Sequence, residues 1–260
     1  MNEEQVEVAR WPYPEDYIPK VDDDPTLFGA DLIAESQRYF SGQDRFQRLT
    51  KTLLSESQPV TWDHSVTTGF FFGALCARFH RLPFYVGQAV GQLHDIGKVR
   101  MPDLVLKQAG FTYKERELMK DHVFFSCMIL ADRNYPTIAR VAVNHHLYGQ
   151  IDKLPYPENY IEKNPRVREL GISLAVADKS SARLGNRPEL TSINQFERMV
   201  WKAAKLAEVR KGFSDIPEAS AQFDYLAGIA ENGLVTSGGH IYIDVEPAFA
   251  EQRLDISLEM

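Results

Sequence analysis

Cysteine is scarce in this sequence, which has only Cys76 and Cys127 among 260 residues. Each lies in an apolar stretch, which is typical of buried thiols in a reduced compartment. We therefore expect no disulfide. A closed structural zinc site, which usually relies on several thiolates, is also disfavoured.

The sequence also lacks long apolar runs and a net positive charge. The longest apolar run, "GFFFGALCA" at residues 69–77, is about half the ~20 residues that a membrane-spanning helix needs. The N-terminus opens acidic, unlike a secretory signal or a basic transit peptide. The formal net charge of -7 argues against binding to duplex nucleic acid, which requires clustered lysine and arginine. We expect a cytoplasmic protein without membrane or duplex partners.

The alternation of apolar and polar residues that is typical of strands is rare in this sequence, and helical spacing of apolar residues is common. From residue 27 onwards apolar residues recur at helical spacing, which predicts an all-α fold. Thr112 and Glu115 fit a capping box ahead of one long helix through residue 131, and Pro136 begins a shorter helix through residue 147. Only "GGHIYIDV" at residues 238–245 alternates, which predicts a short strand or β-hairpin.

These patterns divide the chain into three parts. Residues 1–26 carry four prolines and an acidic run, and we interpret them as an extended arm. Residues 27–235 form the helical domain, and residues 236–260 form a C-terminal strand and tail.

The positions of the histidines and of two aspartates along the chain are typical of a metal site in a helical bundle. They fall in or at the ends of four or five predicted helices, so that side chains from facing helices can converge. The candidate metal ligands are His64, His94, Asp95, His122, His145, His146 and Asp178. A lone histidine on a helix is more often a packing residue, and we treat His80 and His240 as ordinary residues.

Imidazole and carboxylate ligands suit iron, manganese, zinc or magnesium. The two oxygens of Asp95 could bridge a pair of ions. Two ions ~3.5 to 4 Å apart can hold a phosphate between them and supply a bound hydroxide as the nucleophile. The residue types therefore predict a two-metal hydrolase.

Residues 94–130, "HDIGKVRMPDLVLKQAGFTYKERELMKDHVFFSCMIL", resemble the HD-domain metal-dependent phosphohydrolase superfamily and, within it, the HD-GYP cyclic di-GMP phosphodiesterases. Family positions matched in order include the HDIGK motif, the Met101-Pro102-Asp103 turn, and Met119-Lys120 ahead of His122. The resemblance extends over roughly residues 60–190. It implies an HD bundle of five core helices with extra C-terminal helices.

The resemblance also implies roles. One metal would be held by His64, His94, Asp95 and Asp178, and a second by Asp95, His122, His145 and His146. Iron or manganese is the first expectation, with zinc and magnesium also compatible. Asp95 and Lys98 would be the catalytic residues, with Lys98 and Arg187 meeting phosphate oxygens. Tyr148 and Tyr156 are candidates for stacking on a nucleobase, although packing is the commoner role of such tyrosines.

Four departures from the family pattern lie outside the expected metal ligands. Val60 replaces a glutamate that binds a third metal in some relatives, so two metals are expected. Leu147 stands where the signature has glutamate, and Pro155 replaces a glycine in a loop about two residues longer, so the GYP loop is degenerate. Ser181 stands where the family has a second aspartate.

The leading interpretation is a metal-dependent phosphodiesterase acting on a cyclic dinucleotide, with cyclic di-GMP implied by the resemblance. The alternatives are an HD-type phosphohydrolase acting on another nucleotide, a di-iron oxygenase, and a catalytically silent nucleotide sensor or scaffold. The sequence before His64 is too short for a sensor domain, so regulation would need a partner protein or the arm itself. The expected partners are a small nucleotide substrate and either a regulatory protein or a second copy in a homodimer.

Overall fold

The structure is a computed structural model that describes residues 18–22, 24–42, 45–107, 111–149, 160–184, 205–233, 235–237 and 240–242. The chain divides into two compact units, Met1–Gly185 and Asn186–Met260. This boundary falls within the range 27–235 that the sequence assigns to one helical domain.

The first unit is built from helices. In chain order they are α1 (Pro25–Phe40), α2 (Phe46–Ser57), α3 (Pro59–Leu75), α4 (Phe84–Leu93), α5 (Pro102–Lys107), α6 (Tyr113–Lys120), α7 (His122–Asp132), α8 (Pro136–Ala142) and α9 (Pro165–Leu184). A π-helical turn, Cys76–His80, continues α3, and a 3-10 helix, Ile96–Arg100, follows α4.

The second unit contains helical residues 205–211 (α10), then α11 (Pro217–Gly233) and two short strands. Strands β1 (Val235–Ser237) and β2 (His240–Tyr242) pair antiparallel, with Val235 opposite Tyr242. The all-α prediction is confirmed, and the expected C-terminal hairpin is present.

The centre of the first unit is α3. Its side chains Phe71, Phe72 and Leu75 are fully buried, and it packs against α2, α4 and α9. A helix that is apolar on most of its surface belongs in the interior, because every face must then be covered.

Glycines allow α3 and α4 to touch backbone to backbone. A Cβ atom added to Gly91 of α4 would lie 2.4 Å from the Cα of Gly69 in α3, and one added to Gly87 would lie 2.5 Å from the carbonyl oxygen of Phe72. No real side chain fits at such distances. Because His64 lies on α3 and His94 directly after α4, this close packing brings their rings to a centroid distance of 5.4 Å.

Two predicted helices end earlier than expected. The Thr112–Glu115 capping box is confirmed, but the helix that it starts ends at Lys120, where the N–H of Asp121 donates to the carbonyl of Leu118 three residues back. The rest of the predicted helix is the separate helix α7. The helix expected through residue 147 ends at Ala142. Successive i to i−3 hydrogen bonds follow it, including that from the N–H of His145 to Ala142, so this segment is a series of tight turns.

His80 connects the π-helical turn to α9. Its Nε2 lies 2.7 Å from the Ser173 hydroxyl, while Arg166 donates to its Nδ1 at 3.4 Å and to its carbonyl oxygen at 2.7 Å. Burial and the nearby Arg166 charge lower the pKa of His80 to about 4. This histidine is a neutral packing residue, as the sequence predicted.

We predict that Gly91→Ala destabilises the fold by about 3 kcal/mol, because its Cβ would overlap the backbone of α3 at 2.4 Å. Gly29→Ala in α1 is the matched control, since an added Cβ there meets nothing within 4 Å, and it should stabilise slightly by restricting the unfolded chain. Urea unfolding of both variants measures the difference. Equal stabilities would contradict the close approach of α3 and α4.

We also predict a pH-dependent loss of stability that originates at His80. Its pKa of about 4 in the fold lies below the ordinary 6.5, so the unfolded chain binds the proton first. The stability that comes from keeping His80 neutral is fully present above pH 6.5. The free energy of unfolding should therefore fall by about 3 kcal/mol as the pH drops from 6.5 to 4. Urea unfolding across this range should show a shallower dependence for His80→Gln. Parallel curves for the two proteins would exclude His80 as the source.

Candidate metal centre

The structure brings together all of the histidines and aspartates that the sequence singles out as ligands. They form three overlapping groups in which the potential ligand atoms lie within 4.8 Å of one another. The groups are His64, His94 and Asp178; His94, Asp95 and His145; and His122, His145 and His146. We call the first of these the α3–α9 cluster and the last the α7–α8 cluster.

Asp95 lies between the two clusters and presents one oxygen to each. Its Oδ2 atom is 3.6 Å from Nε2 of His64 and 3.4 Å from Nε2 of His94. Its Oδ1 atom is 3.1 Å from Nε2 of His122 and 3.7 Å from Nε2 of His145. A carboxylate placed in this way can be a ligand to an ion on either side.

Asp178 on α9 completes the α3–α9 cluster. Its Oδ1 atom lies 2.9 Å from Nε2 of His64 and 3.5 Å from Nε2 of His94. Two carboxylates therefore face two imidazoles on this side, while the α7–α8 cluster has three imidazoles and shares only Asp95. The two halves of the centre differ in charge.

Backbone carbonyl groups fix the orientation of three of the rings. The Nδ1 atoms of His94, His122 and His145 lie 2.6 to 2.7 Å from the carbonyl oxygens of the residues three positions earlier. A carbonyl oxygen only accepts hydrogen bonds, so each Nδ1 must carry the proton. In the neutral rings, the Nε2 lone pairs therefore point into the centre, which is the arrangement that metal ligation requires.

The converging lone pairs need a positive charge between them. The Nε2 atoms of His122 and His145 are only 3.3 Å apart. Both Nε2 of His94 and Oδ1 of Asp95 are buried without a hydrogen-bond partner among the described residues. Facing lone pairs in a buried site repel one another, and a cation removes that cost.

The electrostatics of the buried groups agree with this interpretation. Burial alone would raise the pKa of Asp95, but the positive charges of His94 and Lys98 hold it well below the usual range. Burial alone would lower the pKa of His94, but Asp95 and Asp178 outweigh it and raise that pKa. Burial, together with neighbouring positive charges, lowers the pKa of His145 and His146. The two carboxylates and the His145 and His146 rings are therefore held in the forms that bind metal ions, whereas metal binding at His94 would displace a ring proton.

Gly97 explains how the chain turns from Asp95 towards α7. A Cβ atom on Gly97 would lie 2.1 Å from the carbonyl oxygen of His122 and 2.4 Å from the backbone nitrogen of Ser126. The Gly97 N–H also donates to the Ser126 hydroxyl at 2.8 Å. The glycine of the HDIGK motif is therefore needed to bring Asp95 and His122 close together.

A buried ion pair supports the turns that carry His145 and His146. The carboxylate of Glu162 accepts from the Arg140 guanidinium at 2.6 and 2.9 Å and from the Asn144 amide at 3.4 Å. Arg140 also donates to the carbonyl oxygen of Pro19. The residue before His145 is thus held by a carboxylate that is itself fixed by Arg140.

Lys98 lies in the centre and contacts one of the predicted metal ligands. Its Nζ atom pairs with Oδ2 of Asp95, and its carbonyl oxygen accepts from the Gln58 amide at 3.0 Å. Sequence reasoning missed Gln58 and Ser126 as supports of this segment. Neither residue belongs to a recognisable motif, because each forms a hydrogen bond with a backbone atom of a residue that is distant in sequence.

Tyr148 and Val60 are two further described residues that the sequence singled out. Tyr148 is half-buried against α9, where a Cβ on Gly171 would lie 3.3 Å from its ring, and burial raises its pKa to about 12. Val60 is exposed. Arg187, Tyr156 and Pro155 are outside the described residues.

A helical bundle with a buried His/Asp donor set at its centre defines a metal-binding helical domain. Residues 61–183 match the family model of the HD domain. The match covers just under half of the chain, and the donor set found here fits the divalent metals that HD domains bind. The family resemblance seen in the sequence is confirmed.

Comparison with characterised proteins gives a relative with a named activity. The chain is 32% identical over 143 residues to a cyclic di-GMP phosphodiesterase of Thermotoga maritima, a match that covers 52% of this chain and 38% of that protein. The chain thus spans well under half the length of this relative.

Solved structures were also similar. The HD domain of the L. monocytogenes phosphodiesterase PgpH matches with a TM-score of 0.48 and 16% identity, covering 69% of this chain and 95% of that one. The same domain in complex with cyclic-di-AMP matches with a TM-score of 0.47 and 16% identity, covering 69% and 94%. Within the described part of this chain, no helix has the length and apolarity needed to cross a membrane.

We predict that Asp95→Asn weakens binding of divalent metal by at least about 100-fold, because it changes a ligand that faces both clusters. Asp63→Asn is the control, since this exposed carboxylate is next to His64 in sequence but outside the three ligand groups. Metal analysis after dialysis against a weak chelator measures retention. Equal metal content in the two variants would contradict the assignment of Asp95.

Proposed function

We propose that this chain is a metal-dependent phosphodiesterase that hydrolyses a cyclic dinucleotide, with cyclic di-GMP as the first candidate. The observation that carries the proposal is the position of Asp95 within an HD domain, with one carboxylate oxygen facing each of two histidine clusters. This geometry supports two ions at adjacent positions, which is the arrangement used to cleave phosphate esters.

The ligand sets follow from the two clusters. His64, His94, Asp95 and Asp178 would hold one ion, and Asp95, His122, His145 and His146 would hold the other. Imidazole and carboxylate donors suit iron or manganese, and zinc and magnesium remain compatible. When bound, the metals would polarise a phosphoryl group and activate water at neutral pH.

The protein side chains prepare the site for this chemistry. Asp95 and Asp178 stay ionised because adjacent cationic and hydrogen-bonding groups hold their pKa values well below the usual range. The backbone carbonyls beside His94, His122 and His145 keep their Nε2 atoms directed inwards. No reorganisation of these groups is then needed when charge develops on the substrate.

Lys98 supplies a positive charge at one side of the centre. Its side chain is 21% exposed while that of Asp95 is 1% exposed, so the ammonium group reaches from the surface to the buried carboxylate. We infer that it offsets negative charge on non-bridging phosphate oxygens, together with Arg187. A charge-assisted contact of this kind is stronger than a neutral hydrogen bond.

The cyclic dinucleotide assignment is supported by the T. maritima relative, which is a cyclic di-GMP phosphodiesterase. The degenerate loop that begins at Leu147 follows the two histidines directly. Because this loop differs from the family signature, other cyclic dinucleotides and linear nucleotides belong in the test alongside cyclic di-GMP.

We predict that the iron- or manganese-loaded protein cleaves one member of a panel of cyclic dinucleotides, and that Lys98→Met lowers the rate by about 100-fold or more. Arg100→Met is the control, because Arg100 is exposed and lies in the same 3-10 helix. Chromatography of the products measures cleavage.

Several outcomes would contradict the proposal. Oxygen consumption by the iron-loaded protein without phosphodiester cleavage would indicate the oxygenase alternative. Tight nucleotide binding without turnover in any metal-loaded form would indicate a sensor or scaffold. Cleavage of nucleoside phosphates alone would support a hydrolase but contradict the assignment of a cyclic dinucleotide as its substrate.

A further inference from the structure

His64 differs from the other oriented histidines in what its Nδ1 atom contacts. Where His94, His122 and His145 each face a backbone carbonyl, Nδ1 of His64 lies 3.0 Å from the hydroxyl oxygen of Ser181 on α9. Ser181 is 2% exposed. The orientation of His64 therefore depends on a side chain from another helix.

The Ser181 hydroxyl has two further partners. It lies 2.8 Å from the carbonyl oxygen of Asp178, one turn earlier in α9, and 2.6 Å from the hydroxyl of Thr68 on α3, which is fully buried. Thr68 lies one turn after His64. Two helices that each carry a metal-ligand candidate thus meet at a pair of hydroxyl groups.

Counting protons determines the direction of these hydrogen bonds. A hydroxyl group has one proton to donate and two lone pairs to accept with. The carbonyl of Asp178 can only accept, so Ser181 donates to it. Ser181 then accepts from Thr68 and from the Nδ1–H of His64, and all of its capacity is used. His64 therefore carries a proton on Nδ1. Its Nε2 lies 2.9 Å from Oδ1 of Asp178, so a proton on Nε2 is the one that a metal ion would replace.

We propose that Ser181 is a positioning residue that selects the metal-binding tautomer of His64, with Thr68 holding the Ser181 hydroxyl in place. The inference rests on the proposed metal centre but not on the substrate. It assigns His64 a hydroxyl-based support, whereas His94, His122 and His145 rely on backbone carbonyls. Loss of such a support typically weakens metal affinity by about 10- to 100-fold.

The test compares Ser181→Ala with Ser180→Ala. Ser180 is the adjacent serine on α9, it is fully buried, and its hydroxyl has no hydrogen-bond partner among the described residues. Zn²⁺ alone is the probe, with affinity measured by competition with a chromogenic chelator. Ser181→Ala should weaken one bound Zn²⁺ by about 10-fold or more and leave the other nearly unchanged. Ser180→Ala should bind both as the original protein does.

A spectroscopic measurement separates positioning from packing. In the Zn²⁺-loaded protein, ¹H–¹⁵N NMR of the imidazole groups should show a protected Nδ1–H signal for His64. This signal should exchange rapidly with water in Ser181→Ala and persist in Ser180→Ala. Thr68→Val, which is nearly isosteric, should keep the signal with a loss of Zn²⁺ affinity under about 10-fold.

Two results would overturn the inference: unchanged Zn²⁺ affinity in Ser181→Ala, or a His64 ring that lacks the Nδ1 proton in the Zn²⁺-loaded original protein. Either can occur in a protein that cleaves cyclic dinucleotides, in which case the proposed function stands. Conversely, a protein that cleaves none of them but shows the expected Ser181 effects would retain this inference.

Discussion

The sharing of one buried carboxylate between two groups of imidazoles is the constraint on which the rest of the centre depends. Asp95 is almost fully buried, and its oxygens face His64 and His94 on one side and His122 and His145 on the other. A buried carboxylate is costly unless positive charge surrounds it. The helices must therefore deliver cationic or metal-binding groups to both sides at short range.

The fold achieves this by bringing backbones unusually close together. Gly69 and Gly91 allow α3 and α4 to touch, and Gly97 allows the 3-10 helix to lie against the start of α7. Three of the ligands, His94, His122 and His145, are placed at helix ends and turns, where the carbonyl three residues earlier can accept from an imidazole. His122 is an example, since the turn at Asp121 lets its Nδ1 reach the carbonyl of Met119.

The sequence was sufficient to predict the helical fold, the terminal hairpin and the residues that converge. The HDIGK motif and the spacing of histidines over several helices carry that information. The sequence did not predict the ends of the helices at Lys120 and Ala142, because the tight turns there are stabilised by contacts such as that between Asn144 and Glu162. Nor did it predict that Lys98 pairs with Asp95, because the HDIGK motif looks the same whether the lysine contacts the nearby aspartate or a bound substrate.

Supporting residues were the least predictable part of the centre. Gln58, Thr68 and Ser126 are ordinary polar residues whose importance comes only from where the fold places them. Ser181 drew attention as a departure from the family pattern, yet the structure gives it hydrogen bonds to His64, Thr68 and Asp178.

Gly91 contributes twice to the same centre. Its missing side chain lets α3 and α4 meet, and its carbonyl oxygen accepts from Nδ1 of His94 at 2.7 Å. Fold stability and ligand orientation are therefore inseparable at this position. Replacing a helical glycine by alanine commonly stabilises a protein, but at Gly91 it would separate α3 from α4 and displace the carbonyl that orients His94. Substitutions that change stability without disturbing the metal centre must therefore occur at other residues.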